Sequence, residues 1–235
     1  MAKVTSKKEN VRSMFNSIAK RYDFLNHLLS MGIDRLWRKR LVKMLVEHNP
    51  ETVLDVATGT ADLAIAVTKY SKAKITGIDI AEEMVNIGRM KIASLNLNQQ
   101  IELKVADSEN IPFSDNAFDA AIVAFGVRNF ETLNKGLSEM NRVLKSGGMI
   151  AVLEFSRPRH FPVRNLYMFY FRYILPSLGR MISGDKSAYT YLPDSVKQFP
   201  DGSDFLQHLI ETGFIRTTEK RLSFGIATIY TGFKA

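Results

Sequence analysis

The stretch TVLDVATGTAD, residues 52–62, decides the fold that the sequence predicts. It opens with a short apolar run, turns through the small residues 58–60 and continues into a segment of helical composition. A second apolar run, 74–78, follows and ends on Asp79. A strand, a tight loop, a helix, a second strand and an acid in this order predict the nucleotide-binding half of a doubly wound α/β fold. Ligands of such folds lie at the carboxyl ends of the strands.

Apolar and helical segments continue to alternate downstream. This spacing predicts a mostly parallel sheet that helices cover on both faces. Two C-terminal strands are expected to form a hairpin at the sheet edge, which makes seven strands, and Ser146-Gly147-Gly148 is expected to turn into the fifth. We predict strands at 52–56, 74–79, 101–105, 118–124, 149–154, 214–220 and 224–233, and helices at 60–70, 81–95, 131–144 and 201–211.

The length of 235 residues suits one α/β domain with additions. Residues 1–10 are predicted to fray, and two N-terminal helices are predicted at 11–30 and 34–47. We divide the single domain 1–235 into basic N-terminal helices (1–50), a cofactor-binding core (51–154), an aromatic and arginine-rich helical insertion (155–200), and a final helix with the strand hairpin (201–235).

Composition excludes several classes of site. The chain contains no cysteine, so disulfides, thiolate metal sites and cysteine nucleophiles are ruled out. Its four histidines form no His-x-x-x-His pair, and we expect no metal site. No apolar run approaches the ~20 residues of a spanning helix, and the N-terminus lacks the apolar core of a secretory signal. We therefore expect a cytoplasmic protein.

The positive charge lies almost entirely in the N-terminal region. Residues 1–43 carry eleven Lys and Arg against three acids, which accounts for the whole net charge of +8. A basic arm predicts an anionic partner, either a nucleic acid or a lipid surface, although a solvated helix face explains the same pattern.

Three ligands compete for the predicted nucleoside site: a dinucleotide, a nucleoside triphosphate and S-adenosylmethionine. The dinucleotide fingerprint needs several glycines, and this loop has only Gly59. The absence of a Gly-Lys-Ser/Thr sequence excludes a triphosphate cradle. Asp55 repels phosphates but suits the ammonium of a methionine moiety, and Asp79 suits the hydroxyls of a ribose. The two acids favour S-adenosylmethionine.

Three further acids lie near the third and fourth predicted strands. Asp107 ends the third strand, where it is placed to accept a hydrogen bond from the adenine amino group; a turn cap is the alternative. Asp115 and Asp119 are assigned to turn chemistry and to a strand start.

Several segments spread over nearly the whole chain are more specific than the fold. Together they resemble the quinone-pathway C-methyltransferases, the family that methylates demethylmenaquinol or a polyprenyl benzoquinol. The segments are YDFLN at 22–26 with Ser30 and Trp37, FGVRN at 125–129, RVLKSGG at 142–148 continuing to EFS at 154–156, and YTYLPDS at 189–195 with Phe199-Pro200.

The resemblance implies the class I S-adenosylmethionine-dependent methyltransferase fold and a prenylated quinol substrate. It favours demethylmenaquinol in menaquinone biosynthesis, with a polyprenyl methoxy-benzoquinol of ubiquinone biosynthesis as the alternative. An RNA-modifying methyltransferase and a non-catalytic membrane scaffold are the rival functions from other classes. The residues expected to bind the cofactor are Thr60, Asp79, Asp107 and Ser108 by resemblance, with Asp55 and Gly59 from the charge argument.

The chain departs from the family pattern at five positions. Family members often have His at the position of Asp34, Pro at that of Ser146, Ser at that of Ala124, and Gly at those of Thr58 and Ala61. Side chains in the loop narrow it, which predicts a lower cofactor affinity. None of these departures removes a charge that the chemistry requires.

The reaction itself selects the reduced substrate. A quinone ring carbon is electrophilic, whereas a quinol with one hydroxyl deprotonated is nucleophilic at its ortho carbon. A phenol titrates near ~10, so the phenolate must be stabilised. We predict that Arg128 does this as a fixed cation and that Asn129 bonds the second oxygen. The alternative for Arg128 is an ion pair with a carboxylate such as Glu131.

Three further residues are candidates for contact with the substrate. Tyr189 and Tyr191 are predicted to bind the ring, with core packing as the alternative, and His160 is a candidate proton acceptor.

Residues 155–184 contain no acid but five arginines and seven phenylalanine and tyrosine residues. This composition is typical of an interfacial helix, which predicts peripheral association with the inner face of the cell membrane. Arginines interleaved with aromatic rings also bind single-stranded nucleic acid, and a helix over the active site or a homodimer contact explains the pattern as well.

Overall fold

The computed structural model describes residues 6–170, 173 and 187–235. The helices in this part of the chain are α1 (Lys7–Leu29), α2 (Ile33–Val46), α3 (Asp62–Thr68), α4 (Glu82–Ser94), α5 (Leu133–Val143), α6 (Val163–Phe169), α7 (Ser187–Gln198) and α8 (Ser203–Glu211). The strands are β1 (Thr52–Val56), β2 (Lys74–Asp79), β3 (Ile101–Val105), β4 (Phe118–Ala124), β5 (Leu144–Phe155), β6 (Phe214–Leu222) and β7 (Ala227–Lys234).

The strands form one seven-stranded sheet in the order β3-β2-β1-β4-β5-β7-β6. β1 to β5 are parallel, whereas β7 pairs antiparallel with β5 and β6. The predicted doubly wound sheet and its C-terminal hairpin are confirmed, and β1 to β4 have the predicted bounds. The strand order reverses between β1 and β4, so the crevice at their carboxyl ends is the switch point where such sheets bind ligands.

Helices cover both faces of the sheet. Along β1, alternate side chains enter opposite cores: Val53 joins one with Leu41 of α2, and Leu54 joins the other with Leu137 of α5. α1 lies across the carboxyl edge, where Ala19 packs on Met84 of α4. This arrangement places α1 as a roof over the switch point.

The predicted start of α1 is wrong. Residues 7–10 are helical rather than frayed. The reason is tertiary: Lys7 Nζ donates to the Phe130 carbonyl, and Lys8 Nζ donates to Asp107 Oδ2 at 2.7 Å. The first turn of α1 is thereby tied to loops that follow β3 and β4.

The predicted starts of β5 and β7 are also wrong. β5 begins at Leu144, because Leu144 pairs with Phe118 before Met149 pairs with Ala120, and the intervening residues bulge instead of separating helix from strand. β7 begins at Ala227, because 223–225 form a short 3₁₀ turn.

The predicted helical insertion contains α6 and α7 among its described residues, whereas residues 156–162 form a loop. Arg172, Arg180 and Phe171 of the predicted interfacial stretch lie outside the described residues. Within the described part of the chain, no helix has the length and apolar character needed to cross a membrane.

Candidate active site

The loop after β1 is fixed by hydrogen bonds to Asp79 at the end of β2. The Gly59 N–H donates to Asp79 Oδ2 at 2.8 Å, and the Ala81 N–H donates to Asp79 Oδ1 at 2.8 Å. Burial raises the pKa of this carboxyl, and the two hydrogen bonds partly oppose the shift. Asp79 thus joins the β1 loop to the start of α4 at the wall of the crevice.

The strand ends at the crevice approach one another closely. Ala57 after β1 (φ 52°) and Phe125 after β4 (φ 60°) have left-handed backbone conformations, which side chains disfavour. A Cβ on Gly126 would lie 2.6 Å from the Cβ of Ala57, so only glycine fits there without displacement. Local strain of this kind clusters at functional sites.

Asp55 lies in a small cavity of about 330 Å³. It is 1% exposed and accepts a hydrogen bond from Thr58 Oγ1 at 2.7 Å. Burial raises its pKa to about 7, against the opposing effects of Thr58 and Arg38. Arg38 of α2, 7% exposed, lines the same cavity. An acid and a cation facing one small cavity suit a ligand that carries both an ammonium and a carboxylate.

A larger cavity of about 690 Å³, the first cavity, adjoins this one under α1. It brings together four of the six predicted cofactor-binding residues and is roofed by Phe15 and Tyr22 of α1. Those four are Gly59, Asp79, Asp107 and Ser108. The other two, Asp55 and Thr60, line the small cavity, and Tyr22 and Gly59 are common to both.

Asp107 caps a turn, which is the alternative that the sequence offered for its position. Its Oδ1 accepts from the Glu109 N–H at 2.9 Å, which is a turn cap. Its Oδ2 accepts from Lys8 Nζ, and this hydrogen bond raises the pKa of Lys8. The carboxylate lines the first cavity while it anchors the first turn of α1.

Thr60 is buried, and its hydroxyl serves a polar cluster between helices. It donates to Asp23 Oδ1 of α1 and accepts from Lys91 Nζ of α4 at 3.2 Å. Lys91 also donates to Asp23 Oδ2 at 2.9 Å and to Asp62 of α3. Thr60 therefore ties the β1 loop to the α1 roof.

A second cavity of about 690 Å³ meets the first at Phe15, Tyr22 and Phe125. Most of its lining is apolar or aromatic, and its polar groups come from α1, α2, the turn after β4, and α7. The lining residues of the second cavity are Met14, Phe15, Ile18, Tyr22, Asn26, Ser30, Asp34, Arg38, Phe125, Arg128, Phe155, Tyr191 and Leu192.

Arg128 lies at the carboxyl edge of β4, as predicted, and is paired with a buried carboxylate. Its Nη1 donates to Glu154 Oε1 at 2.8 Å and to the Phe125 carbonyl. The carboxylate is that of Glu154 on β5, rather than Glu131. Burial raises the pKa of Glu154, and the Arg128 charge opposes that shift. The Arg128 Nε is buried without a hydrogen-bond acceptor among the described residues.

The two other predicted substrate-side groups meet each other. The Tyr191 hydroxyl of α7 donates to Asn129 Oδ1 at 3.0 Å, which leaves the Asn129 amide nitrogen as the free donor end. Tyr191 lines the second cavity and Asn129 lines the first. The backbone of Tyr189 lies in α7, but its side chain is outside what the structure describes.

His160 lies exposed in the bend before α6 and does not line these cavities. Asp119 accepts from the backbone N–H groups of Glu51 and Thr52, as its assignment to a strand start predicts. Asp115 pairs with Arg142.

Sequence reasoning missed several residues of the site, namely Lys8, Tyr22, Asp34, Arg38 and Glu154. Most of them lie on α1 and α2, far along the chain from the nucleoside-binding stretch. The YDFLN segment was the signal available for Tyr22. For Arg38 the signal was weak, because it stands within a run of surface cations.

Comparison with known proteins gives relatives over the whole chain. Residues 2–234 match the ubiE/COQ5 methyltransferase family. A demethylmenaquinone methyltransferase of Bacteroides fragilis is 45% identical over 229 residues, which cover 97% of this chain and 94% of that protein. A ubiquinone/menaquinone biosynthesis C-methyltransferase UbiE of Geotalea daltonii is 48% identical over the full length of both chains.

Solved structures match the fold at low sequence identity. A SAM-dependent methyltransferase from Thermotoga maritima, described as a possible histamine N-methyltransferase, superposes with a TM-score of 0.66. The match covers 95% of this chain and 99% of that one at 19% identity, so it speaks for the fold alone.

Proposed function

The chain belongs to the ubiE/COQ5 methyltransferase family, and we propose that it transfers a methyl group from S-adenosylmethionine to a ring carbon of a prenylated quinol. The favoured reaction converts demethylmenaquinol to menaquinol. One observation carries this proposal: a cavity lined by acids meets a mostly apolar cavity at Tyr22 and Phe125. Such a junction allows a methyl donor to face a flat aromatic acceptor.

The residues of the first and small cavities fit the methyl donor. Asp55 would pair with the ammonium of the methionine moiety and Arg38 with its carboxylate. Asp79 would accept from the ribose hydroxyls and Asp107 from the adenine amine. Gly59 keeps the β1 loop free of a side chain at the point where the ligand passes. When bound, S-adenosylmethionine supplies an electrophilic methyl group on a sulfonium.

The second cavity fits a ring with two oxygens. Phe125 and Phe155, whose ring centroids lie 4.6 Å apart, pack against each other and together form one aromatic wall of this cavity. The Arg128 Nε–H, which has no acceptor among the residues that the structure describes, would donate to a phenolate oxygen. Such a charge-assisted hydrogen bond favours the ionised form of the phenol. Asn129 would donate from its amide nitrogen to the second oxygen, because Tyr191 already bonds its carbonyl oxygen.

The proton balance requires an acceptor near the ring. One quinol hydroxyl would lose its proton, and the ortho carbon would form a bond to the methyl group as the bond from that methyl group to sulfur breaks, which leaves a neutral thioether. The hydrogen on the ortho carbon would then leave as a proton while the oxygen regains one. One proton is released overall. Asp34 lines the second cavity and bonds His27 Nδ1 at 2.9 Å, and we assign the exit of that proton to this pair.

The alternative substrate is a polyprenyl methoxy-benzoquinol. It is supported by the Geotalea relative, whose name covers both quinone pathways. A competition assay with the two tail-shortened quinols separates them, since the preferred ring is methylated first at equal concentrations.

A prenyl tail places the substrate in a membrane, and we propose that the enzyme works at the inner surface of the cell membrane while its core stays in the cytoplasm. Support comes from large apolar side chains of the insertion that remain exposed, including Phe161, Leu166 and Met168. A homodimer contact through the same stretch is the competing role.

Product analysis tests the site of methylation. Mass spectrometry and NMR of the product should place the new methyl on a ring carbon with both hydroxyl groups free. A methyl ether would contradict the proposed carbon nucleophile.

A further inference from the structure

The outer face of α2 carries an unusual set of side chains. Every exposed residue of this helix except Leu36 is a cation: Arg35, Lys39, Arg40 and Lys43. Leu36, Lys39 and Lys43 follow the spacing that places side chains on one side of a helix. The one acid of α2, Asp34, is buried on the opposite side with Arg38.

The four cations are not neutralised by ion pairs within the described part of the chain. None of them takes part in an ion pair with another described residue. Four like charges within one helix repel one another, so an anionic surface that covers this face lowers its electrostatic free energy.

Large apolar side chains stand exposed beside these cations. Met31, just before α2, is 77% exposed and Leu36 is 65% exposed. Phe224, at the tip of the β6–β7 turn, is 84% exposed. The turn adjoins α2, because Trp37 Nε1 donates to Ser223 Oγ at 2.8 Å.

The conformation of the turn makes Phe224 more notable. Ser223 (φ 46°) and Phe224 (φ 59°) both have left-handed backbones, which cost energy for residues other than Gly. Packing within the described part of the protein does not offset that energy, since the Phe224 ring is exposed to solvent. Strain that presents an apolar ring to solvent is a reason to expect a partner there.

We propose that the outer face of α2 and the β6–β7 turn form a docking surface for an anionic lipid bilayer. Phe224, Leu36 and Met31 enter the headgroup region, and the cations of α2 bind lipid phosphates. The apolar rim favours a bilayer over a nucleic acid, which would meet the cations but leave these side chains in water. This proposal rests on the proposed function in one respect: a prenylated substrate would lie in the bilayer that the surface binds.

Docking at this surface would hold the enzyme at the bilayer and would also orient its active site relative to the bilayer. The inner side of α2 supplies Arg38 and Asp34 to the second cavity, so one helix presents its outer face to lipid and its inner face to the substrate.

Vesicle flotation tests the surface. The full chain is mixed with phosphatidylcholine vesicles that contain phosphatidylglycerol, and the variants are Lys39→Glu/Arg40→Glu/Lys43→Glu and Phe224→Ser. Each lost cation should weaken vesicle binding about fivefold, so the triple variant should bind at least about 100-fold more weakly. Phe224→Ser should lose about tenfold. A control triple, Lys69→Glu/Lys72→Glu/Lys135→Glu, has the same net charge and should keep most of the affinity.

Equal losses in the two triples would show only a dependence on net charge and would overturn the proposal. Unchanged binding of the α2 variants would overturn it too, and so would α2-dependent affinity for an RNA oligonucleotide with none for vesicles. Methyl transfer to a quinol without a tail is assayed in parallel. The variants should keep that rate but lose turnover of a long-tail quinol in vesicles. Absence of the tail-less activity in the unmodified chain would count against the proposed reaction instead.

Discussion

At the scale of the residue, we propose that the ionisation of Asp55 controls binding of the methyl donor. Its carboxyl is buried, with a pKa raised to about 7, and it pairs with an ammonium only when ionised. The Kd for S-adenosylmethionine should therefore rise as the pH falls below about 7, towards tenfold per pH unit. Isothermal titration calorimetry between about pH 5.5 and 8.5 measures this. The Asp55→Asn variant should bind weakly with no such slope, and a flat profile in the unmodified chain would contradict the assignment.

The same carboxyl should destabilise the fold at alkaline pH. Its pKa is higher folded than unfolded, so its contribution to stability is complete below about 4 and is lost as the pH rises through about 7. Asp55→Asn should raise the Tm at pH 8 and leave it nearly unchanged at pH 4.

Asp119 serves as a control, because its pKa is lowered in the folded protein whereas that of Asp55 is raised. Hydrogen bonds from Lys145 and Thr52 outweigh burial and lower its pKa to about 2. Asp119→Asn should lower the Tm at pH 8, because that stabilisation is present above about 4 and is lost as the pH falls through about 2. If Asp55→Asn and Asp119→Asn changed the Tm with the same pH dependence, the causes assigned to the two pKa shifts would be refuted.

Arg128 pairs with the buried Glu154, and two variants separate this structural role from the catalytic role that we propose for it. Arg128→Met leaves the Glu154 carboxylate buried without its partner, which should cost about 3–5 kcal/mol of unfolding free energy. Arg128→Met/Glu154→Gln should regain most of that stability in urea unfolding. Both variants should lose at least about 100-fold in kcat. Normal turnover by the double variant would mean that Arg128 only neutralises Glu154.

At the scale of elements, we propose that Lys91 holds α1 in place over the crevice. Lys91 of α4 binds Asp23 of α1 and Asp62 of α3, beside the buried Thr60 hydroxyl. Lys91→Met leaves the two acids facing each other without a cation. We expect about tenfold weaker binding of S-adenosylmethionine and faster amide exchange along α1.

Lys145→Met is the matched control, since Lys145 pairs with Asp119 at 2.7 Å on the other edge of the sheet. That variant should leave α1 exchange unchanged. If Lys91→Met also leaves it unchanged, α1 is held by its apolar contacts and the two basic residues of its first turn.

Elements were predictable where their signals are local. β1 to β4 are apolar runs bounded by turn residues, and their bounds followed directly from the sequence. β5 was predicted to begin after Ser146-Gly147-Gly148, because a Gly-Gly pair normally ends a segment. In the fold, Leu144 pairs with Phe118 beyond that break, a long-range contact that turn chemistry does not encode.

At the scale of the whole molecule, the site could be predicted only from the sheet side. Asp55, Gly59 and Asp79 follow from the βαβ pattern, since strand ends meet at one edge. The roof did not follow, because Lys8, Tyr22 and Arg38 reach the site through the packing of helices before the sheet. The partner of Arg128 was sought three residues away at Glu131, whereas the fold supplies Glu154 from a neighbouring strand.

Methyl transfer from labelled S-adenosylmethionine to chemically reduced demethylmenaquinone is the most direct measurement, with the oxidised quinone and an RNA pool as parallel acceptors. Label should enter the quinol alone, because only the phenolate makes the ring carbon nucleophilic and because we propose that the second cavity binds its ring. Label in RNA, or no label in any quinol by a chain that still binds S-adenosylmethionine, would contradict quinol methylation.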